Sequence, residues 1–159
     1  MKKVLSLKRL TEELAPLRKK GRRIVFTNGC FDIIHAGHVR YLTRARALGD
    51  VLVVGLNSDS SVRSVKGPSR PIVPEKERAE VLAALAPVDY VVLFSEPTPL
   101  RLIEAIAPDV LVKGSDWAAG EIVGAEAVKK RGGRVARVRL VKGRSTTNII
   151  KRILELHKK

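Results

Sequence analysis

The stretch GCFDIIHAGHVRYL, residues 29–42, carries His35 and His38, two of the three histidines in the chain, separated by Ala36 and Gly37. Imidazoles at this spacing can ligate a metal, hydrogen-bond a reacting group, or simply sit at the start of a helix. A zinc centre needs three or four ligands at compatible spacing, and only Cys30 and the distant His157 are available in kind. The surroundings favour an anion instead. TNGCF ends in a Gly-containing turn whose backbone N–H groups, at Gly29, Cys30 and Phe31, are free to cradle phosphates. The histidines follow where a helix begins, and a helix N-terminus attracts anions through its unpaired N–H groups and its dipole. Gly37 lets a phosphate approach the backbone, and two imidazoles beside it can stabilise charge that builds up during transfer. The G-x-G-x-x-G and P-loop patterns are absent.

A second cluster lies in VKGRSTTNII, residues 141–150. A Gly turn and the basic Arg144 precede Ser145, Thr146 and Thr147 at another helix start, where hydroxyls either cap the helix or bind phosphate. Lys66 stands in SVKGPSRPIVP, a segment rich in Pro and Gly. Read as a loop, it brings a point charge that can close over phosphates. Asp32, Arg70 and Arg78 are weaker candidates for the second substrate; Arg78 also reads as a partner of Glu75 or Glu80 on its own helix. VKGSDW, residues 112–117, adds Gly114, Asp116 and Trp117. The tryptophan either stacks on a base or sugar or fills a gap in the core, and Asp116 either binds a sugar hydroxyl or caps a turn.

The elements that must position these groups alternate between strand and helix. Helical spacing of Leu7, Leu10, Leu14 and Leu17 predicts a helix over 4–19, with Gly21 as its stop. Short apolar runs predict strands over 23–29, 50–59, 88–94 and 109–114, and polar alternation predicts an edge strand over 134–141. Between them come helices over 38–49 (with Val39, Leu42, Ala45 and Leu48 on its inner face), 74–85, 98–108, 124–133 and 145–159, and a loop over 61–74. Near-continuous apolar strands joined by helices imply an α/β, Rossmann-like doubly wound parallel sheet of about five strands with helices on both faces. Ligands in such sheets bind beyond the carboxyl ends of the strands, where the strand order reverses. Every candidate above except Arg78, which falls on the predicted helix 74–85, lies at such an exit. The organisation expected is one domain over 1–159, with an N-terminal helix over 1–21 and a catalytic core over 22–159.

Composition narrows the function. No apolar run approaches the roughly 20 residues of a membrane span, and one cysteine fits a reducing cytoplasm. The net charge of +15 suits a polyanionic ligand or a solvated basic surface. A nucleic-acid-binding module is the rival from another class. However, the Lys and Arg residues are spread along the chain, and aromatics at 4 % leave little for bases to stack on.

GCFDIIHAGH resembles the H-x-G-H signature of the nucleotidyltransferase superfamily, with His35 and His38 at the matching positions. The resemblance implies that both histidines contact a nucleoside triphosphate and that Ser145, Thr146 and Thr147 bind its β- and γ-phosphates. It also implies that Asn28 to Phe31, Gly37 and the Gly114–Trp117 segment contribute to nucleotide binding, and that a lysine placed like Lys66 contacts phosphate. An arginine is expected a few residues ahead of the serine. Leu140 stands there, so Arg144 or Lys142 is left to supply the charge. Together with LGDVLVVGLNSDSSV, KGPSRPIVPEKERAEVLAAL and PDVLVKGSDW, these motifs run in order over residues 24–153 and are similar to the adenylyltransferase domain of heptose 1-phosphate activation. That implies ATP, accompanied by Mg²⁺, and a sugar phosphate as partners, no protein-held metal, and a homo-oligomer, dimer or larger. The nearest alternative is a cytidylyltransferase for a small alcohol phosphate such as glycerol 3-phosphate.

Overall fold

All seven residues of the strand at Val51–Asn57 are buried, as a strand covered on both faces requires. The computed structural model describes residues 2–115, 122–139, 141 and 143–158. Five strands pair in it: β1 (Ile24–Gly29), β2 (Val51–Asn57), β3 (Tyr90–Phe94), β4 (Val110–Gly114) and β5 (Arg134–Val138). They form one sheet in the order β3-β2-β1-β4-β5, every pair parallel. The helices are α1 (Leu7–Lys19), α2 (Ala36–Arg46), α3 (Asp59–Lys66), α4 (Glu75–Ala84), α5 (Leu100–Ile106), α6 (Ala125–Lys130) and α7 (Thr146–Leu156). The order reverses between β1 and β4, so the crevice for a ligand opens beyond Gly29 and Gly114.

Strand alternation divides the core in two. Val25, Val54, Val110 and Val112 pack with Tyr41, Leu42 and Ala45 of α2 and with Ala79, Leu82 and Ala83 of α4. Phe26, Val53 and Leu111 face the other way, against Leu10 and Leu14 of α1, Ile103 and Ile106 of α5, and Val128 of α6. Acids hold the amino edge of the sheet. Asp50 accepts from Arg23 N–H, Asp89 from Leu52 N–H and Asp109 from Ile24 N–H. Three carboxylates are thereby committed at the edge opposite the crevice.

Several sequence expectations change. Residues 59–66, expected partly as loop, form α3, because Ser58 caps the helix by accepting from Ser61 N–H and Val62 is fully buried. Lys66 is therefore the exposed last residue of a helix, with Gly67 (φ +95°) turning the chain after it. The first helix begins at Leu7 rather than residue 4, since Ser6 caps it and Val4 and Leu5 bond alongside Val91 of β3. The helix expected from residue 38 begins at Ala36, two residues earlier. Its inner face includes Tyr41, while Val39 is 37 % exposed. Arg134–Val138 lies at the sheet edge as expected. No helix among the described residues is long and apolar enough to cross a membrane.

Candidate active site

β1 ends in Asn28 and Gly29, and the chain then turns sharply through Phe31, whose φ of +43° is unusual for a residue with a side chain. The turn is held from below by Arg78, which is only 1 % exposed. Its guanidinium donates to the carbonyls of Cys30 (2.6 Å), Asn57 (2.9 Å) and Val73 (2.9 Å) and to Asp59 Oδ1 (2.8 Å). Arg78 does not pair with Glu75 or Glu80, as the sequence suggested. Five donors in a fixed fork match carbonyls arriving from separate strand ends, which a single-turn helical pair would leave unmet. Asp32 is likewise structural. It is buried and accepts from Ile72 N–H, Val73 N–H and Arg70, pinning the strap after α3 to the turn. Burial alone would push the Asp32 carboxyl up, but these backbone donors and Arg70 outweigh it and hold it below its ordinary value. Asp32 and Arg70 are paired with each other, Arg70 donating from Nε to Asp32 Oδ2.

The two histidines start α2. His35 is the N-cap residue, and its Nδ1 accepts from Gly37 N–H at 3.1 Å. That bond puts the ring proton on Nε2, which is left to donate outward. His38 stacks on His35 with ring centroids 3.9 Å apart, and its other side meets the Phe31 ring at 5.2 Å. Its Nδ1 is buried without a hydrogen-bond partner. Burial, reinforced by the neighbouring His35, pushes the His38 pKa down to about 4. Burial and then the charge of Arg144 lower that of His35 as well. Both rings are neutral at pH 7 before an anion arrives, which suits side chains that must approach a polyphosphate as directional donors.

Gly37 has a local reason to be glycine. A Cβ there would meet the His35 ring at 2.9 Å and Arg144 Cβ at 3.2 Å. The second cluster therefore lies directly against the first, although about a hundred residues separate them. Thr146 Oγ1 contacts the Ile33 carbonyl at 3.4 Å. Ser145 caps α7 by accepting from Asn148 N–H, and Thr147 is exposed in its first turn. Cys30 sits in the turn, its thiol pushed up by burial against the opposing charges of Lys66, Arg78 and Arg70. Lys66 is thus within electrostatic reach of the Cys30 turn. Asn28 Oδ1 accepts from Lys113, a buried residue of β4 that the sequence reading passed over. The available signal was a lysine interrupting the apolar run VLV before Gly114. Asp116 and Trp117, and with them Leu140 and Lys142, lie outside the described residues. A depression of about 490 Å³, lined by Ser58, Arg63, Glu75 and Ser95, opens over the ends of β2 and β3 rather than at the switch point.

Residues 26–152 match the cytidylyltransferase-like family. The chain is 58 % identical over 146 residues to the bifunctional protein HldE of Syntrophotalea carbinolica, covering 92 % of this chain and 30 % of that protein. It is 54 % identical over 155 residues to HldE of Geobacter sulfurreducens, covering 98 % and 32 %. It therefore spans about a third of the length of these relatives. Among solved structures, the lipopolysaccharide core biosynthesis protein of Thermoplasma volcanium is 32 % identical. It aligns over 78 % of this chain and all of that one, with a TM-score of 0.65. Pantothenate synthetase of Thermus thermophilus, at 17 % identity and a TM-score of 0.64, shares the fold, over 92 % of this chain and 67 % of that one.

Proposed function

The chain belongs to the cytidylyltransferase-like family of nucleotidyltransferases, and from it we propose an adenylyltransferase that joins ATP to heptose 1-phosphate, giving ADP-heptose and pyrophosphate. One observation carries this reading: the stacked pair His35–His38 and the Ser145–Thr147 helix start meet across Gly37 at the β1–β4 switch point. Identity above 50 % to the HldE proteins supports the choice of substrates.

An oxygen of the sugar phosphate attacks the α-phosphorus, the bond to the bridging oxygen breaks, and pyrophosphate leaves with its electron pair. No covalent enzyme intermediate forms, so the protein contributes positioning and charge stabilisation. The turn at Gly29–Phe31 presents backbone N–H groups to the phosphates. His35 donates from Nε2, and His38 stands beside it. Arg144 and Lys66 offset charge on the triphosphate, and Ser145, Thr146 and Thr147 receive the β- and γ-phosphates with the start of α7. Among the described residues no group of three or more His, Cys, Asp or Glu side chains could hold a metal. Mg²⁺ would accompany ATP rather than sit in a protein cage, and would offset charge on the phosphates.

The test is a pyrophosphate-release screen of each nucleoside triphosphate against heptose 1-phosphate and glycerol 3-phosphate. Turnover confined to ATP with heptose 1-phosphate is expected. Turnover of CTP with glycerol 3-phosphate, and none with the expected pair, would overturn the reading.

A further inference from the structure

Two residues with side chains have a left-handed backbone among the described residues, Phe31 and Ala107. Ala107 is the C-cap of α5, a position where that conformation commonly ends a helix. Phe31 lies in the turn after β1 and has no such local reason. A side chain in this region is strained, and it persists only where the surroundings over-determine it. Here the ring is the determinant. Phe31 is buried, and its ring lies so close to Gly29 that a Cβ there would stand 3.0 Å from Cε2 and 3.4 Å from Cζ. Gly29 thus makes room for the ring, which meets His38 with centroids 5.2 Å apart and planes inclined by 62°.

His38 is therefore held between rings, stacked on His35 at 3.9 Å and met edge-on by Phe31. Its Nδ1 is buried and has no hydrogen-bond partner among the described residues. A neutral imidazole carries one ring proton. On Nδ1 that proton would be a buried donor without an acceptor; on Nε2 it leaves only a lone pair unmet, the more tolerable fault. His38 then has the same tautomer as His35, whose Nδ1 accepts from Gly37 N–H. Water at Nδ1 would remove the bias by accepting from it, and would hydrate the charged ring. The titratable groups on the surrounding elements supply no substitute. Asp32, beside Phe31, is turned to Ile72, Val73 and Arg70. The Cys30 thiol is pushed up by burial, and Arg144 acts on His35.

We propose that Phe31 is a positioning residue: its ring, seated on Gly29, clamps His38 against His35 and shuts water from Nδ1, so that both imidazoles keep their proton on Nε2 as donors to the triphosphate. This rests on the adenylyltransferase reading. The backbone N–H of Phe31 survives any change of side chain, so variants at this position separate the ring from the phosphate cradle.

The experiment follows the imidazole nitrogens of the full chain by NMR across pH, with His38→Gln to assign the His38 signals. The unaltered chain is expected to show a protonated Nε2 and a bare Nδ1 on His38 at neutral pH. Phe31→Ala is expected to mix the tautomers and to move the His38 titration up from about 4 towards 6.5. It should also lower kcat by about tenfold, with the acid limb of the kcat profile moving up alongside the titration. A protonated Nδ1 in the unaltered chain would overturn the proposal. So would His38 signals in Phe31→Ala that titrate as in the parent, even with a lowered Tm, since a side chain that only fills the core would do that. A kcat within about twofold of the parent would overturn it too. Should Phe31→Ala fail to fold, Phe31→Leu decides: a smaller shift of the His38 titration in the same direction supports the proposal, and an unmoved titration rejects it. Failure of the unaltered chain to release pyrophosphate with any acceptor would sink the adenylyltransferase reading, while the ring signals would still judge Phe31.

Discussion

Gly37→Ala separates catalysis from stability at this site. The added Cβ would stand 2.9 Å from Cε1 and Nδ1 of His35 and 3.2 Å from Arg144 Cβ. Comfortable carbon contacts begin near ~3.5 Å, so the ring must retreat by about half an ångström or more. Retreat lengthens the 3.1 Å bond from Gly37 N–H to Nδ1 and loosens the 3.9 Å stack on His38. Losing that cap costs about 1 kcal/mol. Against this, alanine is the better helix former at the second position of α2 by up to about 1 kcal/mol. The two effects nearly cancel, so Tm is expected to move by no more than about 4 °C for a chain of this size. Catalysis has no such offset, because misplacing one donor by a fraction of an ångström to 1 Å costs on the order of 10–100-fold in turnover. Pyrophosphate release and thermal denaturation on the same preparation check both halves. A variant with unchanged Tm and kcat within about twofold of the parent would refute the claim that Gly37 exists to seat His35.

Acid should destabilise the fold through His38. Its folded pKa of about 4 lies below the ordinary 6.5, so between those values the unfolded chain binds more protons. Stability is full above pH 6.5 and falls as pH drops towards 4, by at most about 3 kcal/mol and less where solvent reaches the ring. Urea denaturation from pH 7 to 4 should show this slope, and His38→Gln should flatten it; an equally steep slope in the variant would exclude His38 as the source. Arg78→Met should lower stability by about 3–5 kcal/mol, because it strands the buried carbonyls of Cys30 and Asn57 and leaves Asp59 without its partner. Denaturant midpoints measure this, and a loss below about 1 kcal/mol would mean that the turns hold themselves.

The reading of strands survived folding best because a parallel sheet covered on both faces writes itself as short apolar runs, as in VLVVGLN and YVVLF. Helix faces were less legible. Val39 and Tyr41 are both apolar enough to face inward, and the hydrogen bond between Tyr41 and Thr27, with Val39 turned to solvent, tells which does. The prolines after residue 67 hid α3, since its amphipathic pattern ends just as the turn residues begin. The histidines and the Ser-Thr-Thr segment could be found because the chemistry of each is local: a glycine turn, a helix start, a hydroxyl cap.

By itself the sequence determined the alternation of strands and helices, the strand exits at which polar groups collect, and the residue types fit to hold a polyphosphate. It could not assign the long charged side chains, because their partners lie far along the chain. Arg78 reaches a carbonyl 48 positions away, Asp32 accepts from a backbone N–H 40 positions away, and Lys113 meets Asn28 across 85. A guanidinium or ammonium on a flexible stem is a surface charge, a structural clamp or a ligand for phosphate according to what surrounds its tip. Only the strand order and the face onto which each side chain alternates decide that. The tertiary structure thus turned Arg78 and Asp32 into framework and brought Lys113 to the crevice.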